Sequence, residues 1–273
     1  MIPAPFEYEV AGSVEEAVEL LGAREDAKLL AGGHSLLPLM KLRFARPGTL
    51  VDIGRLEELR YVRDDGERLA IGALSRHRDL QTDPLVQEHC PILSYTAGLI
   101  GDAQVRHRGT IGGSVAHGDP ASDLPTIVLA LDAELVVRGP GGERTVPARE
   151  FFRGVFETAL EPQDVLTEIR VSKLGETGWS YLKFNRRAQD WATVGVAALV
   201  SDGDARIALT SMGPAPMRAR AAEEAYRSGG AEAAAAVADE DTTPPTDTAA
   251  TSEYRRHLAR VLAVKALEEA AAR

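Results

Sequence analysis

The 273-residue sequence contains one cysteine, Cys90, so it has no disulfide framework. One thiolate also cannot hold an iron–sulfur cluster, which ordinarily takes four. A reducing compartment fits this cysteine usage. Aromatic residues are few, with Trp179 and Trp191 the only tryptophans. Positive charge is in short supply: 31 Lys and Arg stand against 41 Asp and Glu, a net charge of −10. That argues against nucleic acid or an anionic membrane as partner, since both need clustered cations. No apolar run approaches the ~20 residues that span a bilayer, so no transmembrane segment is expected. Met1 to Val10 has neither a basic start nor an apolar stretch, which predicts no signal peptide. There is no G-x-G-x-x-G and no G-x-x-x-x-G-K-[ST], which excludes the Rossmann fingerprint and the P-loop. His34, His107 and His117 have no metal-ligand spacing, and Cys90 has no partnered histidine. The sequence therefore offers no metal site and no catalytic nucleophile.

What is present begins with two glycine pairs. The first is Leu30-Ala31-Gly32-Gly33-His34-Ser35-Leu36, with Pro38 and Arg43 after it. The second is Thr110-Ile111-Gly112-Gly113-Ser114, followed by Asp119-Pro120 and Asp123. Glycine has no Cβ to hold a ligand away and tolerates the positive φ that gathers successive N–H groups into one concavity. Two such loops could grip the two phosphates of one dinucleotide. Each could equally be an ordinary strand-to-helix turn. Asp119 and Asp123 could suggest a metal site or an acid–base pair. Too few ligands accompany them, and an Asp119 cap on a helix starting near Pro120 is simpler.

The chain is comfortable for two domains, with 44% hydrophobic residues and enough length to bury a core without staples. Ser13-Val14-Glu15-Glu16 reads as a capping box before an amphipathic helix carrying Val14, Ala17, Val18 and Leu21. Strands are expected at Lys28–Ala31 and Leu50–Ile53, with a short helix over Pro38–Arg43. Further strands are expected at Arg68–Ala73, Glu134–Arg138 and Val165–Val171. Helices are expected from Ser75 to Gln81, Pro91 to Ile100 and Leu124 to Leu131. After Gly175 come three strands, Ser180–Phe184, Trp191–Val200 and Ile207–Met212, with a hairpin turn at Asp202-Gly203-Asp204. Helices over Arg218–Arg227, Ala231–Asp239 and Tyr254–Ala272 close the chain. This places residues 1–175 in one domain, with subdomains of about 1–55 and 56–175, and residues 176–273 in a second. The class is α+β.

Taken together, the two glycine stretches and the Asp119-Pro120-Ala121-Ser122-Asp123 segment resemble the FAD-binding medium subunits of molybdenum hydroxylases, and carbon monoxide dehydrogenases most. The resemblance runs nearly end to end. It implies a two-part FAD-binding domain of the vanillyl-alcohol-oxidase-like type, then a small domain of a three-stranded antiparallel sheet with helices. It implies non-covalent FAD held by residues 30–36 and 110–114, with Ile100, Asp123, Leu166 and Lys183 in contact. Asp123 would accept from ribose or ribitol hydroxyls, and Lys183 would stabilise anionic reduced flavin. The segment Tyr181-x-Lys183-x-x-Arg186-Arg187-x-x-Asp190-Trp191-Ala192 is otherwise readable as a charged strand and turn. Trp191 is also implied as a cofactor contact, and it stands where the carbon monoxide dehydrogenase pattern has tyrosine. Substrate oxidation would occur at a molybdenum cofactor in a large partner subunit. A small subunit with two [2Fe–2S] clusters would relay electrons to the flavin, in a dimer of heterotrimers. The place would be cytoplasmic, with peripheral association to the inner membrane through the complex left open. A self-contained FAD-dependent oxidase or dehydrogenase, and a non-catalytic nucleotide-binding regulator, are the alternatives.

Overall fold

The computed structural model describes residues 1–273. Its first unit is a small parallel sheet of β1 (Glu7–Val10), β2 (Ala27–Leu30) and β3 (Thr49–Asp52), in the order β1-β3-β2. Helix α1 (Val14–Ala23) starts at the expected cap: the Glu16 N–H donates to Ser13 Oγ at 3.1 Å, and Glu16 Oε2 accepts from Gly12 N at 2.6 Å. Its Val14, Ala17, Val18 and Leu21 are buried in the core of this unit. Helix α2 (Leu36–Lys41) follows the first glycine pair directly.

The second unit centres on a five-stranded antiparallel sheet. A 3-10 turn (Glu57–Leu59) leads into β4 (Val62–Asp65) and β5 (Arg68–Gly72). Six helices come next: α3 (His77–Thr82), α4 (Pro84–His89), α5 (Pro91–Gly98), α6 (Ala103–Arg106), α7 (Ile111–His117) and α8 (Asp123–Ala130). Then follow β6 (Glu134–Gly139), β7 (Gly142–Pro147), α9 (Ala148–Phe151), a hairpin of β8 (Phe152–Gly154) with β9 (Glu157–Thr158), and β10 (Val165–Ser172). The large sheet has the order β4-β5-β10-β6-β7. Its core joins Leu69 and Ile71 of β5, Leu135 and Val137 of β6 and Ile169 of β10 to Ile92, Ile111, Leu124 and Ile127 from the helices. The edge strands β4 and β7 escape sequence patterning because they read VRDD and GERTVP, with few buried side chains.

The third unit has the three expected strands, β11 (Gly178–Phe184), β12 (Val194–Ser201) and β13 (Asp204–Thr210), plus a two-residue edge strand, β14 (Met217–Arg218). Strand β12 starts at Val194, not Trp191. The hairpin closes where the Thr193 N–H donates to Phe184 O at 2.8 Å, which leaves residues 185–193 as a wide loop. The two helices expected before and after residue 230 are both present and meet at Gly230, whose φ of 68° and ψ of −157° are not helical; together they are labelled α10 (Arg220–Ala236). Helix α11 (Ser252–Ala271) lies across the sheet, and its buried Ala259, Ala263, Ala266 and Leu267 share a core with Val194, Val196 and Ile207. No helix is long and apolar enough to cross a membrane.

One buried polar side chain sits where α3 begins. His77 is 5% exposed and its Nδ1 has no hydrogen-bond partner. Burial, with smaller repulsion from His34 and Arg106, lowers its pKa to about 4. The unfolded chain then binds a proton that the folded chain excludes between about pH 6.5 and 4, so stability falls as pH drops through that window. We expect His77→Gln to flatten this part of the curve of urea midpoint against pH. A variant as steep as the wild type would show that other groups cause the loss.

Candidate cofactor site

The two glycine pairs play different structural parts. In the first, only Gly33 has positive φ, at 76°. Position 32 admits no side chain, because a Cβ there would overlap the backbone carbonyl of Arg108. The backbone N–H groups of Gly32, Gly33, His34 and Ser35 donate to no protein acceptor, although Gly32, Gly33 and Ser35 are partly buried. Four consecutive unpaired donors at the C-terminal end of a parallel strand are unusual, since nearly all such groups find partners. They are open to an external acceptor.

The second pair is not a loop of positive φ, as the glycines had suggested. Thr110 caps α7, its Oγ1 accepting from Gly113 N at 3.1 Å, and Gly112 and Gly113 form the first turn. The donors here are already used: Ile111 N to Ser75 O at 3.0 Å, Gly112 N to Ala73 O at 2.9 Å and Ser114 N to Thr110 O at 3.0 Å. Gly112 is a packing glycine, since a Cβ would come within 2.7 Å of Ala73 O at the end of β5. Gly113 differs. Apart from Thr110 Oγ1, a Cβ there would meet only Ala31 Cβ, at 4.0 Å across the cleft. The second segment thus supplies room opposite Ala31, and the first supplies the donors.

Asp119 does not cap a helix. Its Oδ1 accepts from Ala121 N at 2.8 Å within a turn, and α8 begins later with Ser122 as its N-cap. Ser122 Oγ lies 2.8 Å from Ser114 Oγ and so ties the turn to α7. Asp123, the first residue of α8, points into the third unit. Its Oδ1 accepts from Tyr181 Oη at 2.6 Å and its Oδ2 from Lys183 Nζ at 2.9 Å. Both charged side chains are nearly inaccessible, at 4% and 5% exposure. Tyr181 Oη lies 3.3 Å from Thr210 Oγ1, which donates to Thr126 Oγ1 at 2.8 Å. Burial pushes the Asp123 carboxyl up, and Lys183 and Tyr181 oppose that shift. Burial also raises the Tyr181 phenol well above its ordinary range.

Lys183 reaches this position because β11 alternates: Tyr181 and Lys183 project to one face, two residues apart. Leu166 is buried on β10 beside a bulge between Leu166 and Glu168, and Ile100 packs against the same apolar cluster just after α5. Trp191 lies apart from these, 55% exposed on the 185–193 loop. The adjacent Ala192 O accepts from Ser211 Oγ at 2.7 Å. His34 is exposed, and Leu36 opens α2. Sequence reasoning missed Arg76 and Arg108. They line the cleft with Ala31, Gly32 and Thr110, and the spacing Arg106-x-Arg108 before Gly109-Thr110 was the available signal.

Known proteins bear on this arrangement. Residues 4–173 match the family described as the FAD binding domain in molybdopterin dehydrogenase, and residues 179–270 match the CO dehydrogenase flavoprotein C-terminal domain. The carbon monoxide dehydrogenase medium chain of Hydrogenophaga pseudoflava is 45% identical over 100% of this chain and 99% of its own. The glyceraldehyde dehydrogenase medium chain of Sulfolobus acidocaldarius is 36% identical over 99% of this chain and 100% of its own. A solved structure of the Hydrogenophaga carbon monoxide dehydrogenase superposes with a TM-score of 0.96 at 47% identity, covering 100% of this chain and 99% of that one.

The Asp123–Lys183 pair makes a direct prediction. Removing one partner of a buried ion pair strands the other charge and costs about 3–5 kcal/mol, whereas removing both together can be near neutral. Lys183→Met should therefore lower stability by about that amount, and Asp123→Asn in the same chain should restore much of it. Chemical denaturation of the two single variants and the double variant measures the coupling. Additive losses would show that the two groups do not interact.

Proposed function

The chain belongs to the FAD-binding medium subunits of the molybdopterin dehydrogenases, and from that premise we propose how its own residues serve the cofactor. It is an oxidoreductase flavoprotein subunit, related to carbon monoxide dehydrogenase medium chains and to xanthine dehydrogenase FAD-binding subunits. FAD, when bound, takes up electrons singly and gives them on as a pair. In our reading they arrive from the [2Fe–2S] clusters of a small partner subunit, after substrate is oxidised at the molybdenum cofactor of a large one, and leave to an external acceptor. The one cysteine of this chain is consistent with clusters held elsewhere. The working unit is then a cytoplasmic dimer of heterotrimers.

The observation that carries the site assignment is the set of unpaired N–H groups from Gly32 to Ser35. A diphosphate is the acceptor that such a row of donors suits. Gly113 and Ala31 leave space for it to lie against the backbone. In this reading Leu30–Leu36 hold the diphosphate, and Thr110–Ser114 form the opposite wall. Ile100 and Leu166 offer apolar contact. Asp123 and Lys183 bring the C-terminal unit, residues 176–273, against the cofactor domain, residues 1–175. Each oxygen of Asp123 retains a second lone pair, which a ribose or ribitol hydroxyl can use. Lys183 places a cation beside that hydroxyl region, where it favours added negative charge on the flavin. Trp191 is a flavin-edge contact from the 185–193 loop, with an indole in place of a phenol. These residues bind, orient and exclude water; none forms a bond to substrate.

The test compares two glycines in the assembled complex. Gly33→Val forces a branched side chain into φ of 76° beside the donors, while Gly112→Val drives one into the end of β5. We expect the first to yield folded complex with little flavin, and the second to fail in folding. In the wild type, acid should release all FAD into solution, as non-covalent binding requires. Full flavin content in folded Gly33→Val would remove the first segment from the site.

A further inference from the structure

Tyr181 is the largest fully buried side chain of the protein, and its hydroxyl reaches out of the C-terminal unit. It stands on β11, which pairs with β12, as β12 does with β13. In that register Gly195 of β12 lies between Lys183 of β11 and Thr210 of β13. The tyrosine crosses β12 over Gly195: a Cβ at residue 195 would come within 2.5 Å of Tyr181 Oη and 2.8 Å of Thr210 Oγ1. Glycine inside a strand ordinarily weakens it, and one use of it there is to admit another group closely. Here the admitted group is the phenol, and the missing side chain lets its hydroxyl reach α8.

On α8, Asp123 and Thr126 are three residues apart and so share the face that meets these strands. Asp123 Oδ1 accepts from Tyr181 Oη at 2.6 Å, and Thr126 Oγ1 accepts from Thr210 Oγ1 at 2.8 Å. Thr210 gives its one proton to Thr126, so across the 3.3 Å to Tyr181 Oη it can only accept. The tyrosine proton therefore belongs to the carboxylate, at the length of a charge-assisted O–H···O⁻ bond, about 2.5–2.7 Å. Lys183 holds the other oxygen at 2.9 Å. The two donors come from alternate positions of one strand, one on each oxygen. The carboxylate cannot turn about its last bond without breaking both. Asp123, Thr126, Tyr181 and Thr210 are all buried, so bulk water does not replace a lost donor.

We propose that Tyr181 is a positioning residue for the cofactor: its hydroxyl, laid across Gly195, fixes the orientation of the Asp123 carboxylate, whose remaining lone pairs take a hydroxyl of bound FAD. This rests on Asp123 accepting from ribose or ribitol, as proposed above. A phenylalanine would fill the same space, so the hydroxyl is what the site gains. The hydroxyl also favours the ionised carboxylate. Burial pushes the Asp123 carboxyl up, Lys183 and the Tyr181 hydrogen bond hold it down, and Asp119 ahead of α8 adds a small upward push. Strands β12 and β13 place the uncharged Gly195 and Thr210 beside Tyr181. A protonated carboxyl turns one acceptor into a donor, so FAD affinity should fall as pH drops through the Asp123 pKa.

The test uses the assembled complex, deflavinated and titrated with FAD over a series of pH values. Wild type is compared with Tyr181→Phe, with Asp123→Asn, with the double variant, and with a ring-fluorinated tyrosine incorporated at position 181. Fluorine makes the phenol a stronger donor at nearly unchanged volume. Tyr181→Phe should lose about three- to tenfold in FAD affinity at neutral pH. Its acid limb should move up by about 0.5–1 in pH. The fluorinated protein should move the limb the other way. Adding Tyr181→Phe to Asp123→Asn should cost no further affinity. A phenol with a merely structural role would lower the denaturation midpoint and leave every acid limb in place, and that result would overturn the proposal. Should Tyr181→Phe not assemble, the fluorinated protein decides alone: a limb moved to lower pH supports the proposal, and an unmoved one overturns it. Affinity weakened by Asp123→Asn but unchanged at every pH by Tyr181→Phe would overturn the positioning role and leave Asp123 a ligand. Full affinity in Asp123→Asn would remove Asp123 from the site, and the role of Tyr181 with it.

Discussion

The cofactor site depends on one close approach: the backbone at Arg108 and Gly109 occupies the space that a side chain on residue 32 would need. That contact brings the chain leaving β2 against the chain entering α7. It holds Gly32–Ser35 away from secondary structure, with their N–H groups unpaired. In water those donors would be solvated at no cost, but in a partly enclosed cleft they favour a ligand rich in acceptors. The approach has its own support further in. Gly109 lies on the His77 ring and Gly112 on Ala73, so the segment from Gly109 to Gly113 is fixed by the core of the large sheet. The energy that keeps the donors open thus comes from apolar packing elsewhere.

A further constraint joins the C-terminal unit to this site. Asp123 and Lys183 would be costly to bury singly, and their mutual attraction alone seldom repays the desolvation. Here Tyr181 satisfies the other carboxylate oxygen, and Thr210 and Thr126 extend the network on both sides of the contact. A neighbouring anchor acts on the loop that carries Trp191. Arg255 is buried on α11, donates to Thr193 O, and binds both oxygens of Asp247 at 2.9 and 2.7 Å. The loop between α10 and α11 and the loop between β11 and β12 are therefore fixed by the same guanidinium.

Much of this was legible in the sequence, and the rest was not for physical reasons. The capping box at Ser13, the apolar face of α1 and the main strands follow from local pattern, and each appears with shifts of a few residues. The pair Gly32-Gly33 was readable as a turn with open N–H groups because a strand delivers it and a helix leaves it. The pair Gly112-Gly113 has the same local pattern but another role. Its glycines serve a helix start and a close packing contact, which depend on Ala73, far away in sequence. Edge strands such as β4 hid behind charged residues. Asp119 has the residue type and position of a helix cap, yet the turn it makes delays α8 to Asp123. The ion pair needed tertiary contact across 60 residues to be seen.

In the mechanism that emerges, this chain holds a flavin fed with electrons by other polypeptides. Native purification, followed by flavin and metal analysis and a rapid reductive titration, tests that claim most directly. We predict one FAD per copy of this chain, with iron and molybdenum on co-purifying subunits. The flavin should be reduced only when those subunits are present and their substrate is supplied. A metal-free single chain whose flavin is reduced directly by an organic substrate, at a rate matching turnover, would contradict it.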